Sequence, residues 1–221
     1  MTKKFHLISI FPHILDSYFE ESMLKRAQAN KLIKIVSHNL RDYAEGRHQK
    51  TDYKPYGGGP GLVMFAEPIL KAVKAIRAKS KTTSPKIKII MLSPTGKQFS
   101  NEMAIKWAKK YDEFIFICGR YEGVDARVKK ILKAEEVSVG PFVLTGGELP
   151  SAVMIDAIAR QVPGVLGNED SPEEKRISCS EVYTRPEVLE WAGKKYKAPK
   201  VLLSGHAANI EEWKKGKRGV K

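Results

Sequence analysis

The segment SVGPFVLTGGELP, residues 138–150, decides the fold of this chain. Two shorter glycine-bearing segments precede it, LSPTG at residues 92–96 and CGRYEG at residues 118–123. All three follow apolar, β-branched runs of the kind that form buried strands. In an open α/β sheet, loops at the carboxyl ends of neighbouring strands form the ligand site. Glycine lets backbone groups approach a ligand closely, so the three loops predict one shared pocket.

The remaining hydrophobic pattern predicts strands that alternate with helices. The predicted strands cover residues 5–10, 32–40, 86–92, 113–118 and 136–140, and the predicted helices cover residues 14–29, 66–79, 98–110, 125–132 and 149–162. A polar, glycine-rich loop is predicted for residues 41–62. Strands alternating with helices favour an α/β fold whose parallel sheet is covered on both faces.

A change in composition at Pro163 predicts the domain organisation. Residues 1–162 form the α/β domain, residues 163–176 an interdomain linker rich in acids, and residues 177–221 a short C-terminal domain. Two helices are predicted in the last of these, at residues 185–192 and 207–215, the first with Thr184 as its N-cap and Pro186 in its first turn. About 45 residues are too few for a robust core of their own, so this part is expected to dock on the first domain or on a second subunit.

The charge of the chain favours a polyanionic partner. The 221 residues carry a formal net charge of +14. The basic excess is clustered, since Glu102 is the only acid within the lysine-rich residues 71–110. Such a field attracts nucleic acid. No segment approaches the roughly 18 to 20 apolar residues of a membrane span, and the short apolar N-terminal run is interrupted by Pro12 and His13. Two distant cysteines are typical of a reduced cytoplasmic protein.

The loop region upstream of the second helix suggests contact with RNA. PYGGGPG, residues 55–61, lacks the Lys-Ser/Thr of a P-loop and is not GxGxxG. It is either a rigid multi-turn loop or a loop that orders against a large ligand. Basic and aromatic residues are interleaved in the preceding segment. The basic or imidazole side chains are Arg41, Arg47, His48, Lys50 and Lys54, and the aromatic ones are Tyr43, Tyr53 and Tyr56. This mixture suits RNA backbone contact combined with base stacking.

Arg160 and the acids of the linker are open to two interpretations. Arg160 ends the predicted helix 149–162, where a cation also interacts well with the helix dipole. Glu169 and Asp170 belong either to a solvated acidic loop or to a catalytic pair with Arg160. In such a pair the carboxylate takes a proton while the guanidinium stabilises developing negative charge. The sequence alone does not bring these residues together.

Taken together, the motifs resemble those of a known family. LSPTG, CGRYEGVDARV, SVGPFVLTGGELP, VPGVLG, YTRPEV and LLSGHAANI, with PYGGGPG upstream, resemble the bacterial tRNA (guanine-N1)-methyltransferases, the TrmD family of the SPOUT superfamily. The resemblance covers nearly the whole chain, in order. It implies a SPOUT-type parallel sheet with a deep C-terminal trefoil knot, a small mainly helical C-terminal domain, and a homodimer with its active site between subunits.

The resemblance also implies a reaction. S-adenosylmethionine would donate a methyl group to N1 of the guanosine immediately 3′ of the anticodon in tRNA, a modification that protects the reading frame. No metal ligand is assigned, and a requirement for Mg²⁺ stays open. Arg160 matches the family's arginine near guanine O6, and Asp170 best matches its general base.

Further positions carry over residue by residue. The donor pocket would comprise Leu92, Ser93, Pro94, Gly119, Tyr121, Glu122, Gly123, Ser138, Val139, Gly140, Pro141, Phe142, Val143, Leu144, Gly146, Gly147 and Pro150. The tRNA would be contacted by His48, Asp52, Gly58, Gly59 and Arg185.

Three departures from the family pattern bear on these roles. The linker is shorter, and a gap placed differently would make Glu173 or Glu174 the base. Pro141 and Tyr53 stand where the family usually has aspartate. The C-terminal domain is also short.

Two other functions compete with this one. The chain could be a tRNA-binding protein that keeps the fold without turnover, which the shortened linker favours. It could also be a SPOUT methyltransferase that modifies another RNA site, such as a ribose 2′-hydroxyl. Digestion of the treated RNA to nucleosides would distinguish the three functions. The guanine-N1 methyltransferase would give 1-methylguanosine, the binding protein no methylated nucleoside, and the other methyltransferase a ribose-methylated one.

Overall fold

The computed structural model describes residues 2–80, 86–167 and 181–217. The chain divides into two compact units, residues 1–166 and 167–221, and each is described by itself. Most of the predicted linker at residues 163–176 lies outside the described residues, so the domain boundaries drawn from the sequence stay predictions.

The first unit is built on a parallel sheet. Its strands are β1 (Lys3–Ser9), β2 (Ile33–Asn39), β3 (Asp52–Tyr53), β4 (Val63–Met64), β5 (Ile87–Gln98), β6 (Glu113–Ile117) and β7 (Glu135–Ser138). Five of them pair in the order β2-β1-β6-β5-β7, and every pairing in this sheet is parallel. β3 and β4 form a separate antiparallel pair. The predicted parallel α/β architecture is confirmed.

Helices cover both faces of this sheet. They are α1 (Asp16–Phe19), α2 (Ser22–Ala29), α3 (Ala66–Lys79), α4 (Asn101–Lys110), α5 (Arg127–Leu132) and α6 (Glu148–Ala159), with a 3-10 helix at Leu40–Tyr43. Side chains alternate between the two faces of β6. Phe114 and Phe116 pack in the core that α2, α4 and α6 cover. Ile115 and Ile117 pack in the opposite core, under α3 and α5. The sheet is therefore buried on both faces, which explains its near-continuous apolar strands.

Two elements of the first unit differ from the sequence prediction. The prediction of a single helix over residues 14–29 is wrong. The helix is interrupted between α1 and α2, and Ser22, the first residue of α2, has a non-helical φ of 50°. Ile14 and Tyr18 are both about half exposed, so no continuous apolar stripe holds one long helix against the sheet. Strand β5 extends six residues beyond the predicted end at Leu92, because Lys97 and Gln98 pair again with β7.

The described part of the second unit mixes a hairpin with helices. It contains β8 (Val188–Trp191), β9 (Lys194–Lys197), α7 (Lys200–Leu203) and α8 (Ala207–Gly216), with β8 and β9 antiparallel. The helix predicted at residues 207–215 is confirmed. The helix predicted at residues 185–192, with Thr184 as its cap, is wrong. Ala192 and Gly193 both have positive φ, at 52° and 74°, as a two-residue hairpin turn requires.

Candidate functional site

Three loops at the carboxyl edge of the sheet surround one cavity. Strands β6, β5 and β7 are adjacent in the sheet and parallel, so the segments that follow β6 and β7 lie beside the bulge at residues 93–96 of β5. The cavity between these loops has a volume of about 480 Å³. The three glycine-bearing segments singled out in the sequence therefore line the same space.

Most residues assigned to the donor pocket contribute to this lining. These are Leu92, Ser93, Pro94, Gly119, Tyr121, Glu122, Gly123, Ser138, Val139, Phe142, Val143, Leu144, Gly146, Gly147 and Pro150. The structure places Gly140 and Pro141 outside the lining. The Ser138 hydroxyl donates a hydrogen bond of 2.8 Å to the Gly140 carbonyl, and a Cβ at Gly140 would lie 2.3 Å from the Phe142 ring. Gly140 thus faces its own loop.

Gly147 allows α6 to begin directly against the end of β6. Its N–H donates to the Gly119 carbonyl at 2.9 Å. A Cβ at Gly147 would lie only 2.7 Å from Cys118 Cα, a backbone atom that cannot easily move aside. The second glycine of the Gly146–Gly147 pair is therefore required by packing, and the contact ties the third loop to the second.

A buried ion pair that sequence reasoning missed holds the cavity loops together. Glu148 is 3% exposed, and its carboxylate accepts a hydrogen bond of 2.5 Å from the Ser9 hydroxyl. The Arg120 guanidinium lies 2.9 Å from the same carboxylate and 4.8 Å from the centre of the Phe11 ring. Arg120 and Glu148 belong to two of the glycine-bearing segments. Opposite charges in segments predicted to meet were the signal that could have revealed the pair.

Cys118, beneath the cavity, does not supply a nucleophile. Burial, with a contribution from the nearby Glu148 carboxylate, raises the pKa of the Cys118 thiol to about 12. Its Sγ lies 3.3 Å from the Ser151 hydroxyl oxygen. The thiol therefore stays protonated at neutral pH and packs as a small core side chain.

Arg160 lies at the opposite end of α6 from the cavity. It is the half-buried C-cap residue of that helix, and its N–H donates to the Asp156 carbonyl at 3.0 Å. Twelve helical residues span about 18 Å at 1.5 Å each. A Cβ at Gly164 would lie 3.4 Å from the side chain of Leu32, which precedes β2. This end of α6 is therefore at the amino edge of the sheet, and the structure does not bring Arg160 to the cavity of its own chain.

The residues assigned to tRNA contact occupy exposed segments. In the first unit, His48 is exposed, and Gly58 and Gly59 are exposed with φ of 81° and 110°. Asp52 is half-buried on β3, and Arg185 is exposed in the second unit.

The β3–β4 pair adjoins the cavity. The Met64 N–H donates to the Gly123 carbonyl at 2.9 Å, and the Asp125 N–H donates to the Met64 carbonyl at 3.0 Å. Because Gly123 lines the cavity, the loop that joins β3 to β4 is anchored beside it.

The candidate bases lie outside the described residues. Asp170, its neighbour Glu169 and the alternatives Glu173 and Glu174 all fall within residues 168–180. Within residues 2–80, 86–167 and 181–217, no three or more His, Cys, Asp or Glu side chains are grouped so as to hold a metal ion. The same ranges contain no helix that is long and apolar enough to cross a membrane.

Fold and cavity together define a parallel α/β protein with a ligand site at the carboxyl ends of three adjacent strands. The family model described as tRNA (Guanine-1)-methyltransferase TrmD matches residues 3–221. The tRNA (guanine-N(1)-)-methyltransferase of Thermomicrobium roseum is 43% identical over 96% of this chain and 77% of its own length. The enzymes of that name from Dehalococcoides mccartyi and Clostridioides difficile are 42% and 40% identical, over 84% and 90% of their lengths and 96% of this chain.

The chain belongs to the tRNA (guanine-1)-methyltransferase family. This membership confirms the resemblance drawn from the motifs and the prediction of a methyltransferase enzyme.

Proposed function

We propose that the protein transfers a methyl group from S-adenosylmethionine to N1 of the guanosine immediately 3′ of the anticodon in tRNA. The observation that carries this proposal is the convergence of three loops on one cavity in a chain of this family. The cytoplasm, where tRNA is modified, is the proposed location.

The cavity suits the proposed methyl donor. Its volume of about 480 Å³ lies within the range of small-molecule sites. Glycines in the second and third loops leave backbone groups open to a nucleoside. Glu122 also lines the cavity, and its carboxylate favours a cationic ligand. The donor supplies a methyl group that its positive sulfur already activates, so the protein's part is positioning and electrostatics.

The acceptor needs a base and a cation. Guanine N1 carries a proton at neutral pH and is a poor nucleophile until that proton leaves. In the proposal the Asp170 carboxylate removes the proton, and the Arg160 guanidinium stabilises the negative charge that develops on O6. A guanidinium presents a planar fork of donors, which suits a carbonyl oxygen in the plane of a base.

A second copy of the chain would complete the site. Leu149, Val153 and Arg160 are separated by four and seven residues, which places them on one side of α6. Leu149 and Val153 are 56% and 49% exposed, unusual for apolar side chains on a central helix. Exposed apolar patches of this kind mark protein interfaces. In a two-fold dimer with antiparallel α6 helices, Arg160 of each copy would approach the cavity end of the other helix.

The trefoil knot of the SPOUT fold also forms part of the proposal. Leu92 and Lys97 both pair with Val137, so residues 93–96 bulge out as a loop between two registers. The chain leaves β7 at the edge of the sheet, crosses the end of β5 and begins α6 beside the end of β6. In the proposal, the knot forms where residues 139–147 cross the end of β5.

The tRNA would lie on basic surfaces of both units. The net charge of +14 favours a polyanion. Gly58 and Gly59 lie in the loop that joins β3 to β4, Asp52 lies on β3, and His48 is exposed in the segment before β3. Arg185 belongs to the second unit. A chelator added to the assay would test whether the reaction requires Mg²⁺.

The reaction is tested with labelled S-adenosylmethionine and two tRNA transcripts. One carries guanosine at the target position and at the position before it, and the other has adenosine at the target. We expect label in the first transcript alone, recovered as 1-methylguanosine after digestion. Binding of donor and RNA without methylation would support a tRNA-binding protein instead. A ribose-methylated nucleoside would support the other methyltransferase.

The base is tested by substitution. Asp170→Ala is expected to abolish turnover while donor affinity stays near that of the wild type. Full activity in this variant would exclude Asp170 and transfer the role to Glu173 or Glu174, which the same substitution would then test.

A further inference from the structure

Two aromatic rings are exposed side by side on the β3–β4 pair. Tyr53 on β3 is 59% exposed, and Phe65, which directly follows β4, is 38% exposed. The centres of the two rings are 6.5 Å apart, and their planes are within 16° of parallel. The pair is anchored from below by Met64, which is 1% exposed. The rings therefore form a fixed aromatic surface on a well-packed support.

The position of Phe65 is not explained by local structure. Phe65 is the N-cap residue of α3, and its side chain makes no capping hydrogen bond. Ser, Thr, Asp or Asn at an N-cap would bond the first free N–H groups of the helix. Phe65 provides no capping hydrogen bond, and its large apolar ring is partly exposed to water. Both features are locally unfavourable. Such conflicts are expected at functional positions.

A second cavity opens beside Phe65. Its volume is about 530 Å³, and its walls include Tyr43, Lys50, Phe65, Arg127 and Ile131. It is thus a partly aromatic pocket with two cationic side chains. Tyr56 is the most exposed aromatic residue among the described residues.

The charges around this pocket leave a positive group available. Glu45 and Glu67 also line it, but both carboxylates pair with the Lys71 ammonium. Arg127 pairs with Asp125. Within the described ranges, no carboxylate lies within ion-pair distance of Lys50.

Neighbouring residues at the end of β4 connect the second cavity to the proposed donor cavity. Gly123, in the lining of the first cavity, bonds to Met64, and Phe65, in the lining of the second, is the next residue. An RNA with its target base at the first cavity would therefore carry neighbouring nucleotides past the second.

We infer that Phe65, supported by Tyr53, forms a stacking site for a nucleobase of the tRNA that flanks the methylated guanosine, with Lys50 beside it for the phosphate. This inference rests on the proposed function. Proteins that recognise single-stranded RNA stack unpaired bases on aromatic side chains and place basic groups along the backbone. Residues 41–56 interleave basic side chains with tyrosines, so this segment supplies both the aromatic rings and the basic groups.

The test couples one side chain to one base. Wild-type protein, Phe65→Leu and Phe65→Trp are titrated with anticodon stem-loops in which each loop nucleotide in turn is replaced by an abasic residue. Leucine keeps the apolar bulk and removes the aromatic face, whereas tryptophan keeps the face. We expect Phe65→Leu to weaken binding of the intact RNA by roughly five- to hundredfold and Phe65→Trp to bind like the wild type.

The decisive result is non-additivity. Phe65→Leu should cost no affinity for the one RNA that lacks the stacked base, because the interaction is already absent there. An equal loss for every RNA would contradict the inference and make Phe65 a structural residue. Unchanged RNA affinity combined with a shift in the monomer–dimer equilibrium, measured by sedimentation, would also contradict it and mark a protein interface.

The proposed function fails differently. A wild-type protein that binds the stem-loops but methylates none would contradict the reaction and leave the coupling measurable. Donor affinity, measured by calorimetry, is expected to be the same in all three proteins. A loss in Phe65→Leu alone would show that the substitution acts through the first cavity instead.

Discussion

At the carboxyl edge of the five-stranded sheet, three loops surround a cavity of about 480 Å³, whereas at the amino edge titratable side chains are closed into the core. There, His6 and Glu113 are 9% and 2% exposed, and the Lys4 ammonium bonds the Glu113 carboxylate at 2.6 Å. The two edges thus differ in what their buried polar groups do. The Arg120–Glu148 pair holds together the segments around a cavity, whereas His6 and Glu113 are packed inside the core.

Helix α6 connects the two edges, and this explains how the proposed site is divided. Its first turn belongs to the cavity, and its C-cap residue, Arg160, lies about 18 Å away. One chain therefore supplies a complete cavity but only a distant arginine. The comparison predicts that donor binding and methyl transfer respond to different substitutions.

The largest expected effect separates these two properties. Arg160→Lys should lower kcat for methyl transfer by about 10²- to 10³-fold, because a point charge does not replace the fork that faces developing charge. Donor affinity should remain that of the wild type. Single-turnover kinetics and calorimetry measure the two quantities, and unaltered kinetics would reduce Arg160 to a helix-end cation.

The buried pair at the carboxyl edge is expected to matter next most. Glu148→Gln leaves the Arg120 guanidinium, 15% exposed, without its carboxylate. The free energy of unfolding should fall by about 3 kcal/mol, measured by urea denaturation at pH 7. Glu211→Gln, which breaks an exposed pair with Lys215, is the matched control and should show no measurable change. Equal changes in the free energy of unfolding in the two variants would show that the buried pair contributes no more to stability than the exposed pair.

The amino edge is expected to respond to acid. Burial, with the neighbouring His38 ring, lowers the pKa of His6 from 6.5 to about 4. Below pH 6.5 the unfolded chain therefore binds a proton that the folded chain does not, and stability falls with pH until about pH 4. This group should cost about 2 kcal/mol between pH 7 and pH 5.

Denaturation at several pH values checks this expectation. His6→Gln should flatten the decline, and His13→Gln, at an exposed histidine, should not. A decline that is the same in His6→Gln as in the wild type would assign the acid sensitivity to other groups.

The smallest expected effect compares two glycines of the cavity. Gly147→Ala should lower the free energy of unfolding by about 1–3 kcal/mol, because its Cβ would meet the Cys118 backbone. Gly119→Ala should change it little, since only Val124 Cγ2, at 3.4 Å, is near. Thermal unfolding measures both, and equal destabilisation would mean that packing does not explain the Gly147 position.

The carboxyl edge was more predictable from the sequence than the rest. The strands predicted at residues 86–92, 113–118 and 136–140 each lead into a glycine-bearing segment, and a parallel sheet brings such segments together at one edge. Local pattern could not show that Gly140 turns toward Phe142 or that Glu148 closes on Arg120, since both depend on how the loops fold over each other.

The second unit shows another limit of local reasoning. Thr184 and Pro186 suggested the start of a helix, but the turn at Ala192 and Gly193 makes the following residues a hairpin. The distance of Arg160 from the cavity could not be predicted for a related reason. Arg160 is close to Gly147 in sequence, but the helix between them is straight and about 18 Å long. It therefore carries Arg160 from the carboxyl edge of the sheet to the amino edge.

The central claim is that two copies of the chain complete one active site, and mixing two inactive variants tests it directly. Arg160→Ala lacks the cation, and Gly119→Leu fills the cavity where the backbone tolerates a side chain. If each site takes its cavity from one copy and Arg160 from the other, co-refolded mixtures should regain about one quarter of wild-type activity in half-competent heterodimers. Mixtures that stay inactive, although sedimentation shows that heterodimers have formed, would contradict the claim.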